Sequence, residues 1–378
     1  MIQNSWILLS ILTGFASFSL WAEKNTKWGK AMGCTNIALV AGLILVNLKI
    51  VPTWSDVYGV VFSYMVPIAI ALLLFSANLR SILVIAKKLV PVFLLGSIAT
   101  MIAATIAALI FDLGPQSHIV YGMLTGTYIG GSANLAAVGN GLGVDSSMFV
   151  AVNAADIVIF FFWMAFLAQA GKLSFFTKWY PSYKDSNLST EFDNSLVAIT
   201  KKEDKKKEVN GIDVVVVLAI AIISATIGEL LGSVTGIPGI LFTTTIVLIL
   251  ANTTRISEMK IATELGLWFF MIYFVTIGSM ALFSDVLAHG LNVFFGTAAV
   301  ILIHGIIIFV VGKIAKIPLE FIILSSSANV GGPSTSGPHA AAYGWENLVT
   351  PAILIGALGA AIGTYCGFGI SYLIQAIL

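Results

Sequence analysis

Long apolar blocks separated by short polar stretches make up most of this chain, and a membrane-spanning helix needs about 20 such residues. Ten blocks fit that length: residues 5–21, 33–50, 57–78, 89–111, 145–170, 213–232, 237–251, 264–283, 291–312 and 346–376. Two more, 119–143 and 317–344, are also apolar but crowded with Gly, Ser, Thr, Asn and Pro. One polar segment, 172–212, divides the chain and carries the run Lys201-Lys202-Glu203-Asp204-Lys205-Lys206-Lys207-Glu208, which reads as a solvated linker. The pattern predicts an all-α polytopic membrane protein.

Composition narrows the picture. Of 378 residues, 58% are hydrophobic and only 10% charged, against about 25% charged in a soluble domain. That excludes a soluble enzyme and a disordered scaffold, and a net charge of +1 offers no field for nucleic acid. Cys34 and Cys366 both sit in apolar runs, which argues against a disulfide framework or a Cys-based metal site. The first block has no Lys or Arg before it, whereas Glu23, Lys24, Lys27 and Lys30 follow. A cleavable signal carries its positive charge in front, so this block reads as a retained helix with its N-terminus outside.

The two halves, 1–171 and 213–378, resemble each other in order and motif. Leu74-Phe75-Ser76 matches Leu282-Phe283-Ser284, and Gly130-Gly131-Ser132-Ala133-Asn134 matches Gly331-Gly332-Pro333-Ser334-Thr335. Fifteen residues after the first glycine of each pair an acid, Asp145 or Glu346, opens the next long block. Each half is therefore predicted to hold five transmembrane helices and one Gly-rich broken segment. If both broken segments are re-entrant hairpins, the basic residues divide 18 to 1 across the membrane; if both cross, they divide 13 to 6. The positive-inside rule favours the hairpins. Five crossings per half then invert the second repeat, with residues 172–212 cytoplasmic and both termini outside.

Backbone leaving the helix at membrane depth is tolerated only where protein or a water-filled cavity satisfies it, and broken segments at matched places point to a transporter site. Paired glycines permit positive φ. N–H groups at half-helix starts suit anions, and freed carbonyls with Ser, Thr and Asn oxygens suit Na⁺. The competing explanation is tight packing, with hydroxyls bonded to their own backbone. Asp156, mid-block within Val152-Asn153-Ala154-Ala155-Asp156, shares a helix face with Asn153. A carboxyl at that depth is a functional hypothesis by default, as a proton carrier or as a Na⁺ ligand; the alternative is a hydrogen-bonded structural Asp. His304 reads as a satisfied packing residue, His339 as the end of its hairpin, and Glu229 as an acid that can reach the interface. Asp145, Glu264, Glu320 and Glu346 stand at helix starts, where acids are expected. Neither a Gly-x-Ser-x-Gly elbow, a His-Glu-x-x-His pair nor a P-loop occurs, so no enzyme is expected.

On Gly130-Gly131-Ser132-Ala133-Asn134, Asn153-Ala154-Ala155-Asp156 and Ser327-Ala328-Asn329-Val330-Gly331-Gly332-Pro333, the chain resembles the YjcL-like family of bacterial membrane proteins, domain of unknown function 819, over nearly its full length. More distantly it is similar to the cation:proton antiporter and anion transporter superfamily, whose glutamate:sodium and citrate:sodium symporters have inverted halves with Gly-Gly hairpins. The Asn153/Asp156 pair is similar in place to the acidic motif of sodium/proton antiporters, whose acids, unlike these, are adjacent. The resemblance implies a scaffold and a transport domain, an elevator motion, a homodimer and a bacterial cytoplasmic membrane.

The resulting expectation is a secondary transporter of a small anionic or zwitterionic solute (a carboxylate, amino acid or short peptide) coupled to Na⁺ or H⁺. Gly130, Gly131, Ser132 and Asn134, with Asn329, Gly331, Gly332, Ser334, Thr335 and Ser336, would hold the solute. Asn153 and Asp156 would hold the coupling ion, with no cofactor beyond bound Na⁺. The alternatives are a cation/proton antiporter using Asp156, and a receptor or channel on the same fold.

Overall fold

The computed structural model describes residues 2–75, 77, 86–183, 211–259 and 261–378; Ser76, Arg80, Lys260 and the run Lys201 to Glu208 lie outside these. The described residues are helical throughout, without strands. In the first half they form α1 (Ser5–Asn25), α2 (Lys27–Met32), α3 (Cys34–Asn47), α4 (Asp56–Val60), α5 (Val66–Leu74), α6 (Val90–Ile110), α7 (Ser117–Gly130), α8 (Ser132–Leu142) and α9 (Ser146–Ala170). After the short α10 (Ser174–Trp179) come α11 (Gly211–Thr235), α12 (Gly239–Thr253), α13 (Ile261–Gly278), α14 (Phe283–Ile314), α15 (Leu319–Gly331), α16 (Pro333–Ala342) and α17 (Glu346–Ile377).

Eight helical stretches among the described residues are long and apolar enough to cross a bilayer. The chain is a multi-pass membrane protein. Two of the ten blocks expected to span make shorter helices, α3 of 14 residues and α12 of 15. Stop signals explain both. Gly33, at φ +79°, breaks the chain before α3. Lys49 takes φ +59° after it, while the Ile50 N–H reaches back to the Leu45 carbonyl at 3.0 Å, a Schellman-type end. Pro238 precedes α12, and extended Thr254 ends it. Between α4 and α5 a π-helical turn, Val61–Met65, precedes Pro67, whose missing N–H interrupts the helical ladder.

The helices form two compact units, and each unit draws on both halves of the sequence. One comprises the described residues of Met1–Ser76, Gly139–Ala154 and Val209–Val293. Its centre is α13, buried continuously from Phe270 to Gly278. There Gly42 lies on the Val275 carbonyl and Gly278 on the Leu39 carbonyl, so that α3 and α13 approach backbone to backbone. Helices α1 and α3 pack on α13, α11 and α12 pack on α5, and α5 packs on α13. Exchanging α1, α3 and α5 for α11, α12 and α13 leaves that set of contacts unchanged.

The second unit comprises the described residues of Ala77–Val138, Ala155–Glu208 and Phe294–Leu378. Helix α17 runs through it, carrying α7 along one face and touching α15, α16 and α6. Both Gly-rich segments belong here in whole or large part, and both fold back on themselves. Gly126 on α7 faces Val138 on α8, and Ser327 on α15 bonds His339 on α16 at 2.7 Å. Each pair is twelve residues apart, a separation that a continuing helix would stretch to about 18 Å.

Candidate functional site

The two bends are built alike. In each, the second glycine takes the left-handed region, Gly131 at φ +86° and Gly332 at φ +67°. Its N–H closes the incoming helix, Gly131 onto Thr127 O at 2.8 Å and Gly332 onto Ala328 O at 2.9 Å. The first glycine of each pair makes room: a Cβ at Gly130 would strike Asn134 and the Gly359 carbonyl, and one at Gly331 would strike Thr335. Hence the doubled glycines at both places.

Both bends dock on neighbouring turns of one helix. Gly356 of α17 lies against Gly332 and Pro333, Gly359 against the Ile129 carbonyl, Gly363 against Asn134 and the Gly126 carbonyl, and Gly367 against the Gly122 carbonyl. The spacing Gly356-x-x-Gly359-x-x-x-Gly363-x-x-x-Gly367 puts a bare stripe on α17, against which other backbones close without side-chain interference. Asn134 fixes the first bend to it, donating to Gly130 O at 2.7 Å and accepting from the Thr364 hydroxyl at 2.6 Å. Ser336 does the same for the second, donating to Gly332 O and Ala352 O at 3.0 and 2.9 Å.

Around the bends lies a chain of buried polar groups. Trp163 Nε1 donates to Ser326 Oγ at 3.0 Å, and Ser326 Oγ lies 3.0 Å from His304 Nε2. His304 Nδ1 lies 3.0 Å from Thr100 Oγ1, which donates to the carbonyls of Gly96 and Tyr128. The chain therefore joins α15, before the second bend, to Tyr128, two residues before Gly130. The Tyr128 hydroxyl and the Asp156 carboxyl are neighbours, yet neither Tyr128 Oη nor Asp156 Oδ1 makes a hydrogen bond of good geometry among the described residues. Asn329, which holds the place in the second hairpin that Tyr128 holds in the first, also carries an unbonded buried oxygen, Oδ1; its Nδ2 donates to Ser97 Oγ at 3.0 Å. Buried polar atoms are rarely left so, and unbonded oxygens near both bends suit an incoming cation or proton.

The residues picked from the sequence are therefore not one cluster. Gly130, Asn134, Gly332 and Ser336 meet on α17, Gly131 and Gly331 belong to the same bends without facing it, and Asn329 packs on α6 at Gly96. Ser132 and Ser334 open the return helices, where an α-helix leaves N–H groups without intrahelical partners. Several hairpin hydroxyls are occupied by backbone: Ser334 Oγ donates to Gly331 O at 3.2 Å and Thr335 Oγ1 to Ser327 O at 3.0 Å. Asn153 is buried, with its amide 3.5 Å from Asn36 Oδ1, while Asp156 on the same helix turns to Tyr128. Tyr128 and the fully buried Ser325-Ser326-Ser327 belong to the Gly-rich segments but, like Thr100 and Trp163, are not among the site residues expected from the sequence. Three consecutive serines inside an apolar helix were the available signal.

A profile of the family described as "Protein of unknown function (DUF819)" matches residues 10–377. The chain is also similar to the "Uncharacterized membrane protein YjcL" of Bacillus subtilis (strain 168), 27% identical over 382 residues, covering 97% of this chain and 96% of that protein. The chain belongs to the DUF819 family.

Proposed function

We propose that this member of the DUF819 family is a secondary active transporter, moving a small anionic or zwitterionic solute in exchange for the gradient energy of Na⁺ or H⁺. The observation that carries this reading is the convergence of two Gly-Gly hairpin bends on adjacent turns of α17, with Asp156 Oδ1 unbonded beside the Tyr128 hydroxyl. Interrupted helices at matched places are how transporters expose backbone dipoles at membrane depth. The interchangeable contacts around α5 and α13, and the twelve-residue fold-back common to both hairpins, support two repeats; the basic residues support their inversion. In this reading the N–H groups opening α8 and α16, at Ser132 and Ser334, face the solute's negative charge. Asp156 takes the coupling ion, and the hairpin-bearing unit carries it with the solute in an elevator motion. The bacterial cytoplasmic membrane and a homodimer follow from the same proposal.

A cation/proton antiporter is the second reading, and the unbonded Oδ1 of Asp156 favours it equally, because a carboxyl at membrane depth can alternate between proton and metal ion. The test common to both is Asp156→Asn. In purified wild-type protein, replacing K⁺ by Na⁺ or lowering pH is expected to shift the melting temperature, as a species bound only by the folded state does. Asp156→Asn is expected to lose that response while melting no lower than wild type in K⁺. A variant that folds and responds as wild type does removes Asp156 from the mechanism.

A further inference from the structure

A separate apolar groove of about 490 Å³ opens between α9 and α14, well within the size of small-molecule sites. Its walls include Phe162, Trp163, Phe166, Gly305 and Phe309, and Phe176 of α10 closes one end. Aromatic packing shapes it: Trp163 and Phe166 lie 5.1 Å apart, Phe166 and Phe309 5.8 Å, and Phe176 and Phe309 5.2 Å. Gly305 is required because a Cβ there would strike the Trp163 ring. Both flanking helices are long enough to span a bilayer, and Phe162, Leu302 and Ile306 at the groove are 60–65% exposed.

The end closed by α10 is basic. The Tyr180 hydroxyl donates to Phe309 O at 2.8 Å, and Leu319 N–H to Pro181 O at 3.1 Å, which straps the segment after α9 across the end of α14. Lys172, Lys178, Lys313 and Lys316 are all exposed at this end, with Lys313 Nζ over the Trp179 ring at 3.3 Å. The one acid among residues 159–183 and 294–320 is Glu320. It is buried, and its oxygens accept from Ser182 Oγ at 2.7 Å and Tyr183 N at 3.0 Å. An apolar channel at membrane depth, with Lys313 over Trp179 at its end and Lys172, Lys178 and Lys316 exposed on the flanking segments, Lys172 over the Tyr343 ring, matches one amphiphile in shape and charge: apolar chain in the groove, anion at the lysines.

We infer that the α9–α14 groove is a binding site for an anionic phospholipid, with an acyl chain against Phe162, Phe166 and Phe309 and its phosphate among Lys172, Lys178, Lys313 and Lys316. This inference stands apart from the transport reading: of the groove walls named, Trp163 alone also reaches the hairpins, through its indole N–H to Ser326, and neither the lysines nor the mouth residues do. The probes are phosphatidylglycerol and phosphatidylcholine with identical acyl chains, added to the purified full-length protein in neutral detergent. Retention is counted by native mass spectrometry and stability by melting temperature. Phosphatidylglycerol is expected to be held about tenfold more tightly, and changing all four lysines to Gln is expected to reduce it to the level of phosphatidylcholine. Ile306→Trp or Leu302→Trp, exposed apolar positions whose enlargement fills the mouth, should weaken retention of both lipids. Equal retention of the two lipids in wild type overturns the assignment. So does a phosphatidylglycerol preference that survives the lysine changes, or retention unaffected by either Trp substitution.

Discussion

At the scale of single residues, His304 shows how an ionisable side chain is kept inside an apolar bundle. One neutral tautomer, assigned here from the hydrogen-bond pattern, satisfies every group in its chain: Nδ1–H donates to Thr100, whose own hydrogen goes to a backbone carbonyl. Ser326 donates to Nε2 and accepts from Trp163. Removing the imidazole withdraws two partners from hydroxyls that water cannot reach. His304→Phe should therefore cost about 1–3 kcal/mol, seen as a melting temperature several degrees lower in the same detergent, and His304→Gln, which can keep one hydroxyl partner, should cost less. An unchanged melting temperature for His304→Phe would remove the ring from the polar chain. Asp156 is the opposite case: its carboxyl lies beside the Tyr128 hydroxyl, yet Oδ1 makes no hydrogen bond of good geometry among the described residues.

At the scale of elements, the two hairpins differ in how tightly their glycines are held. At Gly131 and Gly332 the obstacle to a side chain is positive φ with extended ψ, since nothing lies where a Cβ would sit, so alanine at either should cost about 1–3 kcal/mol. Gly130 is confined by the Gly359 backbone, whereas Gly331 meets only the Thr335 side chain, which can rotate away. Gly130→Ala should accordingly lower the melting temperature more than Gly331→Ala; the reverse order would mean that the first bend does not press on α17. These glycines were legible in the sequence because no other residue serves there, and the charge count already favoured segments that turn back. The end of α3 was not legible as a break: Lys49 gives no outward sign of adopting φ +59°, and the apolar run continues past it to Val51. The polar chain was hidden for another reason. Thr100 meets Tyr128 across 28 positions and His304 across 204, and local patterning carries no record of such pairs.

At the scale of the whole molecule, each compact unit takes segments from both halves of the sequence. With the second half inverted, the loop before α7 and the polar segment after α10 lie on opposite sides of the membrane. Single cysteines replacing Pro115 and Lys205, in a chain whose Cys34 and Cys366 are changed to Ala, should be labelled by an impermeant maleimide from opposite faces of oriented vesicles. Labelling of both from one face would replace the inverted arrangement with full crossings. Transport of this kind requires a solute site coupled to an ion. Its most direct test is the melting temperature of the purified protein against carboxylates, amino acids and dipeptides, each in Na⁺, in K⁺ and across pH. The account predicts a rise for one organic class that requires Na⁺ or a particular pH and disappears in Asp156→Asn; a protein indifferent to every solute, to Na⁺ and to pH would contradict it.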